Sequence, residues 1–194
     1  RNSVELLVAG SLDTAKELAV RINDYNNQRR NLDMQTTEEA LQMIRNTLNY
    51  ESLKSTIVYN PHWHQGVIGI VASRLIEHFY RPTIVFTESN GLITGSARSI
   101  KDFDIYDAID ACGDLLEHFG GHKYAAGLSL KFENLGKFKE RFERIVAEQV
   151  TERMMTPEVE VHSVLKLRDI NSKFWRILKQ FAPFGPGNMA PIFQ

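Results

Sequence analysis

Between Ser55 and Arg153, short β-branched runs alternate with stretches of helical periodicity, and a chain patterned that way has few folds open to it. Ser55 to Tyr59 reads as a strand that ends at Asn60-Pro61. From Gly66 to Tyr80 apolar residues stand nearly all round the first turns, which predicts a buried helix. Thr83 to Thr87 and Leu92 to Arg98 are strands joined through Asn90-Gly91, a hairpin turn pair. Ile105, Ala108, Ile109, Cys112, Leu115, Leu116 and Phe119 fall at helical spacing behind a cap at Asp102 or Asp104. Tyr124 to Phe132 is a fourth strand and Asn134 to Arg153 a further helix. The order β-α-β-β-α-β-α over about 55–153 predicts an α/β domain with a mixed β-sheet flanked by helices.

The flanks are patterned differently. Leu12 to about Leu48 reads as helix, in one piece or two. Its thin apolar stripe is Ala15, Leu18, Ile22, Tyr25 and Leu32, and Thr36 with Glu39 spells a capping box where a break is expected. One narrow stripe on a polar helix suits a connector between domains. After Pro157 an alternating run from Glu158 to Leu167, a short helix from Asn171 to Phe181 and a Gly/Pro loop follow, too little chain for a core of its own. The expected organisation is residues 1–50 as connector helix, 51–155 as the α/β domain and 156–194 as the lead-in to a further domain.

Charge limits the function classes. The chain of 194 residues has 23 Lys and Arg against 24 Asp and Glu, so contact with a polyanion must rest on a few placed groups and not on a broad basic face. Lys101 to Glu117 carries one lysine against six acidic residues, and that face should turn away from any phosphate backbone. The longest apolar run, Gly66 to Ala72, is far too short to span a bilayer, so no membrane partner is expected. The single cysteine, Cys112, can form no internal disulfide, which points to a cytoplasmic protein. The chain opens at Arg1 without a cationic-then-apolar leader and is expected to be a piece of a longer polypeptide.

Three segments could carry chemistry. Gly95-Ser96-Ala97-Arg98-Ser99 closes a strand with a guanidinium between two hydroxyls, the donor set a terminal phosphate needs, although a strand end with a surface arginine reads the same way. Gly120-Gly121-His122 permits close backbone approach to a ligand. A helix C-cap explains its first glycine, less of the second and nothing of His122. His62 and His64 flank Trp63 before Gly66; no third or fourth ligand is placed near them, so His64 is read as orienting the loop or capping the helix, and no metal site is expected. No Ser-His-Asp signature and no phosphate-binding Walker loop is present.

Taken together, Trp63 to Leu75 (Trp63-His64-Gln65-Gly66-Val67-Ile68-Gly69 onward), Gly95 to Ser99, and Phe119 to His122 followed by Ala125-Ala126-Gly127 resemble the RecJ family of single-stranded-DNA-specific exonucleases, in the DHH phosphoesterase superfamily. The matching module is that family's DHH-associated domain. The stretch with Asn23, Asn27, Arg29 and Arg30 is similar to its interdomain helix, and Ala182 to Asn188 to the segment that leads into an oligonucleotide-binding β-barrel. The resemblance implies 5′→3′ hydrolysis of single-stranded DNA in repair and recombination. It also implies Mn²⁺ or Mg²⁺ held by a catalytic domain of the same polypeptide on aspartates and an Asp-His-His motif, which this sequence does not contain. The chain is then expected to bind substrate, to be inactive alone and to hold no cofactor itself. The resemblance further implies that Ser96 and Arg98 hold a 5′-terminal phosphate and that Gly120, Gly121 and His122 line the site opposite the metals. Arg29 or Arg30 would add a backbone contact; His64 and Ser99 are further candidates. Two alternatives stand beside this reading. One is a superfamily phosphoesterase acting on short RNA or cyclic dinucleotides, against which the connector and the Pro-Phe-Gly tail count. The other is a non-catalytic nucleic-acid-binding module like the associated domain of alanyl-tRNA synthetase, against which the missing basic face counts.

Overall fold

A computed structural model describes residues 2–194. They form two compact units, one ending at Thr156 and the other spanning Pro157–Gln194. Among the described residues no helix is long and apolar enough to cross a membrane.

The first unit opens with α1 (Asn2–Leu7) and α2 (Leu12–Arg45). Ser11 caps α2 through its side chain, which accepts from the Thr14 N–H. Of the two readings left open, one helix or two, the first holds: α2 runs unbroken for 34 residues, with no break at Thr36. Leu18 is buried near its start, and a second buried run is Asp33, Thr36, Thr37, Ala40, Leu41 and Ile44 on one helix face, so the Thr36 turn lies against the domain and needs no cap. Glu39 turns away from the Thr36 backbone and accepts from the Trp63 indole N–H at 2.8 Å. Arg74 donates to the buried Asp33 carboxylate at 2.8 Å and ties the same helix to α3. Tyr25 and Leu32, read as part of the stripe, are exposed.

A five-stranded mixed sheet follows in the order β1-β2-β3-β5-β4. Its strands are β1 (Thr56–Tyr59), β2 (Thr83–Ser89), β3 (Leu92–Arg98), β4 (His118–His122) and β5 (Ala125–Leu130). β1 pairs parallel to β2 through the crossover helix α3 (Ile68–Phe79), and every other pairing is antiparallel. Asn90 and Gly91 both have positive φ, 54° and 75°, as a tight β2–β3 hairpin requires. The helix expected to reach Phe119 stops early: α4 (Ile105–Asp110), capped by Asp104 and not Asp102, gives way to a short 3₁₀ turn. The chain then enters β4, an edge strand absent from the sequence reading. Phe119 belongs to that strand, and its ring stands 5.7 Å from that of Tyr106.

The two sheet faces are covered unequally. On one, Ile84, Phe86, Ala97, Ala126 and Leu128 pack beneath α4 and α5 (Leu135–Gln149) with Phe138 and Phe142. On the other, Val58 and Val85 pack beneath α3 and the end of α2. The acidic α4 therefore lies on the opposite side of the sheet from α3.

In the second unit, α6 (Ser172–Lys179) is capped by Asn171, whose carbonyl oxygen accepts from Lys173 and Phe174 N–H groups at 3.0 Å. The alternating run from Glu158 to Leu167 makes only an isolated parallel bridge, Ser163 to Phe193, and no extended strand.

Candidate functional site

Strand register decides which side chains share the α3 side of the sheet. Alternate residues face alternate sides, so Thr94, Ser96 and Arg98 of β3 stand with Ser129, Gly127 and Ala125 of β5 and with His118, Gly120 and His122 of β4. α3 packs on this face against β2 and β3. Beyond it lies an open groove of about 650 Å³, bounded by Gln65, Gly66 and Gly69 at the start of α3 and floored by β3 and β5. The lining includes Arg98 and His118 and contains no Asp or Glu.

Arg98 is placed by the backbone around it. Its Nη1 donates to Ser96 Oγ at 3.1 Å and to the Ala97 carbonyl at 2.8 Å, which folds the guanidinium back along the strand. No carboxylate pairs with it among the described residues, and burial alone holds its pKa below the ordinary arginine value. A partly desolvated cation without a counter-ion attracts an anion. The start of α3 adds donors. Val67 N–H is satisfied by the His64 carbonyl at 3.0 Å, whereas the Ile68 and Gly69 N–H groups have no acceptor among the described residues. Gly69 permits the approach: a Cβ there would stand 3.0 Å from Arg98 Nη2 and 3.1 Å from Ser96 Oγ.

The glycines of β4 and β5, of which Gly127 lines the groove, divide into two kinds. A Cβ on Gly121 would stand 2.3 Å from the Ala125 carbonyl oxygen, and its φ is +153°, so this glycine is demanded by packing of β4 on β5. Gly120 and Gly127 face one another in register, and a Cβ on either would meet nothing within 4 Å. Nothing inside the fold accounts for these two strand-interior glycines, which carry a conformational cost; a bare floor lets a ligand's backbone lie close to the sheet.

The remaining candidates separate. His122 lies on the groove face at the open edge of β4, exposed, its Nδ1 accepting from the Tyr124 N–H at 3.3 Å. Gly120, Gly121 and His122 occupy a strand and not a helix end, which is why the C-cap reading failed to explain them. His64 accepts from the Gly66 N–H at 3.0 Å through Nδ1 and so shapes the loop into α3. The Ser99 hydroxyl donates to the Phe103 carbonyl at 2.8 Å, closing the turn after β3. Arg29 bonds locally to Asn26 at 3.0 Å; neither it nor Arg30 lines the groove. Sequence reasoning passed over Gln65, Thr94, Ser129 and His118, all of which do. For His118 a signal existed, the period-two spacing with Gly120 and His122, hidden by the assignment of helix through Phe119.

The residues present do not fit a metal centre. No cluster of three or more His, Cys, Asp or Glu side chains comes together among the described residues, His64 Nδ1 is spent on Gly66, and Cys112 is buried on the far side of the sheet.

The DHHA1 domain family matches residues 49–148, the span from the end of α2 to the end of α5. The single-stranded-DNA-specific exonuclease RecJ of Bacillus subtilis is 36% identical over 193 residues, covering 97% of this chain and 24% of that protein. RecJ of Haemophilus influenzae is 32% identical over 197 residues, covering 98% of this chain and 34% of that protein. The crystal structure of RecJ in complex with Mg²⁺ from Thermus thermophilus superposes with a TM-score of 0.86 at 28% identity, over 99% of this chain and 29% of that one. The chain thus spans about a quarter to a third of the length of these relatives. With the family model matching residues 49–148, more than half of its length, and with similarity to RecJ running nearly end to end, the chain belongs to the DHHA1 domain family.

Proposed function

We propose that this chain is the substrate-holding part of a RecJ-type exonuclease that removes nucleotides in the 5′→3′ direction from single-stranded DNA, and that its groove receives the 5′-terminal phosphate. The observation that carries the reading is Arg98: an unpaired, half-buried guanidinium held against Ser96 Oγ, beside free helix-start amides, in a groove lined by no acidic residue. Ser96 and Arg98 grip the phosphate and the Gly120–Gly127 floor lets the strand lie flat. Gly121 keeps β4 in register, and His122 reaches over the edge toward whatever closes on this face. Fixing the chain end at a set place gives end-dependence and direction without any chemistry in this domain. The Mg²⁺ and Mn²⁺ of the Thermus relative support a divalent metal as the agent of hydrolysis, held by other residues of the same polypeptide. The setting is cytoplasmic DNA repair and recombination. Arg29 and Arg30, outside the groove, are left to contact backbone further along the strand.

The test is binding of this chain to oligothymidylate with a 5′-phosphate or a 5′-hydroxyl. Tighter binding of the phosphorylated end is expected; equal binding overturns the end-reading role. Incubated with Mn²⁺ or Mg²⁺, the chain alone is expected to leave both oligonucleotides intact, and cleavage by it would overturn the division of labour.

A further inference from the structure

The groove has a second polar row that the Arg98 end leaves unused. Thr94, Ser129 and His118 lie directly opposite one another across β3, β5 and β4, so their side chains rise together from the same face. All three line the groove, and none of their side chains hydrogen-bonds to another described residue. Two hydroxyls and an imidazole standing abreast supply hydrogen-bond donors at one level of the sheet. Their surroundings favour an anion, because the lining contains no Asp or Glu to compete for those donors. The row lies two residues along the strands from Ser96, roughly 7 Å at the usual rise per residue, a step comparable to one sugar–phosphate repeat. Beside Ser96 the floor is Gly127 and Gly120, so a polynucleotide backbone passing from one row to the other meets no side chain.

We infer that Thr94, Ser129 and His118 form a second phosphate subsite, which takes the phosphodiester one nucleotide along from the terminal phosphate held at Ser96 and Arg98. This rests on the end-binding reading above and adds a discrimination to it. A nucleoside 5′-monophosphate fills only the Arg98 end, whereas a strand fills both rows. The groove then prefers a polymer to its own product, and the released mononucleotide loses half of its grip as the bond is cut.

The experiment is an amide and imidazole NMR titration of the chain with thymidine 5′-monophosphate and with the 5′-phosphorylated dinucleotide pTpT. The monophosphate is expected to shift Ser96, Arg98 and Gly69; pTpT is expected to shift these and also Thr94, Ser129 and His118. His118→Ala should weaken pTpT about tenfold, the effect of one hydrogen bond to a charged group, and leave the monophosphate unchanged. The isosteric Thr94→Val should act in the same direction. If both ligands shift the Arg98 end and pTpT moves nothing more, the second subsite is overturned and the end-binding reading stands. If His118→Ala weakens both ligands equally, the subsite is likewise overturned. If neither ligand touches Ser96 or Arg98, the end-binding reading fails and the subsite fails with it.

Discussion

Arg98 Nη1 stands 3.1 Å from Ser96 Oγ, two residues back on the same strand face, and no carboxylate completes the pair. Arginines that serve the fold are placed differently here. Arg81, almost fully buried, donates to Thr56 Oγ1 and to the Tyr50 and Leu53 carbonyls and lies over the Phe79 ring. Arg98 has half that satisfaction and all of the charge. Replacing it should therefore cost binding and not folding. Arg98→Met is expected to weaken 5′-phosphorylated oligonucleotide by about 1.5–3 kcal/mol, as for a hydrogen bond to a charged group. Its urea midpoint should be unchanged or raised, because the native cation is partly desolvated without a counter-ion. A variant that binds normally, or that unfolds markedly earlier, would show Arg98 to be structural.

The groove glycines give a sharper contrast. Gly120→Ala and Gly127→Ala put a methyl into open space, and loss of glycine's unfolded-state freedom should stabilise each variant by about 0.5–1 kcal/mol. Gly69→Ala should also hold or raise stability, since glycine is a poor helix residue, while its methyl displaces the tip of Arg98. All three should bind 5′-phosphorylated DNA less well. Gly121→Ala should instead destabilise the chain by several kcal/mol, its methyl driven against the Ala125 carbonyl oxygen from a strained φ. Chemical denaturation of the four variants side by side decides it; destabilisation by Gly120→Ala comparable to that of Gly121→Ala would remove the distinction between floor and scaffold.

The proposed function counts His122 among the binding residues. Its side chain is exposed and makes one hydrogen bond, to the Tyr124 N–H, so His122→Ala should change stability by less than about 0.5 kcal/mol. In the full-length enzyme it should lower turnover on single-stranded DNA. An early-melting variant with full specific activity would assign His122 to the hairpin instead.

What could be read from the sequence tracks how each residue earns its place. β1, β2, β3, β5 and α3 announce themselves through β-branched runs, the Asn90-Gly91 turn and the apolar first turns of α3. β4 is silent because an edge strand written His118-Phe119-Gly120-Gly121-His122 buries little beyond Phe119 and contains no β-branched residue. The buried stripe of α2 is silent for a related reason. Its run against the sheet domain begins with Asp33, Thr36 and Thr37, polar groups that hydrophobic periodicity discards, while of the stripe that the periodicity picks out Leu18 is buried but Tyr25 and Leu32 are exposed. Ser96 and Arg98 stand out in the sequence through their chemistry, and Gly120 through its oddity. Thr94, Ser129 and His118 do not, since only strand register brings three distant polar residues abreast.

Glu39 makes the attachment of α2 sensitive to acid. The Trp63 indole N–H, and after it the Gln35 amide, hold its carboxyl below the ordinary glutamate value, against a smaller opposing effect of burial. A depressed folded-state pKa adds stability that is present above the unfolded value and lost as pH falls through the folded one, so the effect belongs below about pH 4.5. Asp114, held low by its hydrogen bond to Arg141, titrates in the same window, so the informative quantity is a difference between proteins. Glu39→Gln keeps a carbonyl acceptor for Trp63 and removes the charge. Its melting temperature should fall less steeply than that of the parent chain on acidification; parallel curves would mean that the Glu39–Trp63 bond does not depend on the carboxylate.

Cys112 should be chemically inert while the chain is folded. It lies fully buried between the sheet and α5, and burial pushes its thiol up to about 11, the nearby Arg141, Asp114 and Arg144 acting only as smaller, partly cancelling influences. Near pH 8 roughly one molecule in a thousand would carry the thiolate, the form that attacks disulfide reagents. An aromatic disulfide reagent should therefore label the native chain only as fast as it opens, and label it stoichiometrically in denaturant. Bound 5′-phosphorylated DNA should slow the labelling further, because a ligand that binds only the folded state lowers the open population by mass action. That makes Cys112 a reporter of occupancy in a groove on the other side of the sheet, without any contact between them. Fast labelling of the native chain would show that the α4–α5 side opens on its own, and labelling that ignores saturating DNA would mean that the groove's ligand does not stabilise this fold.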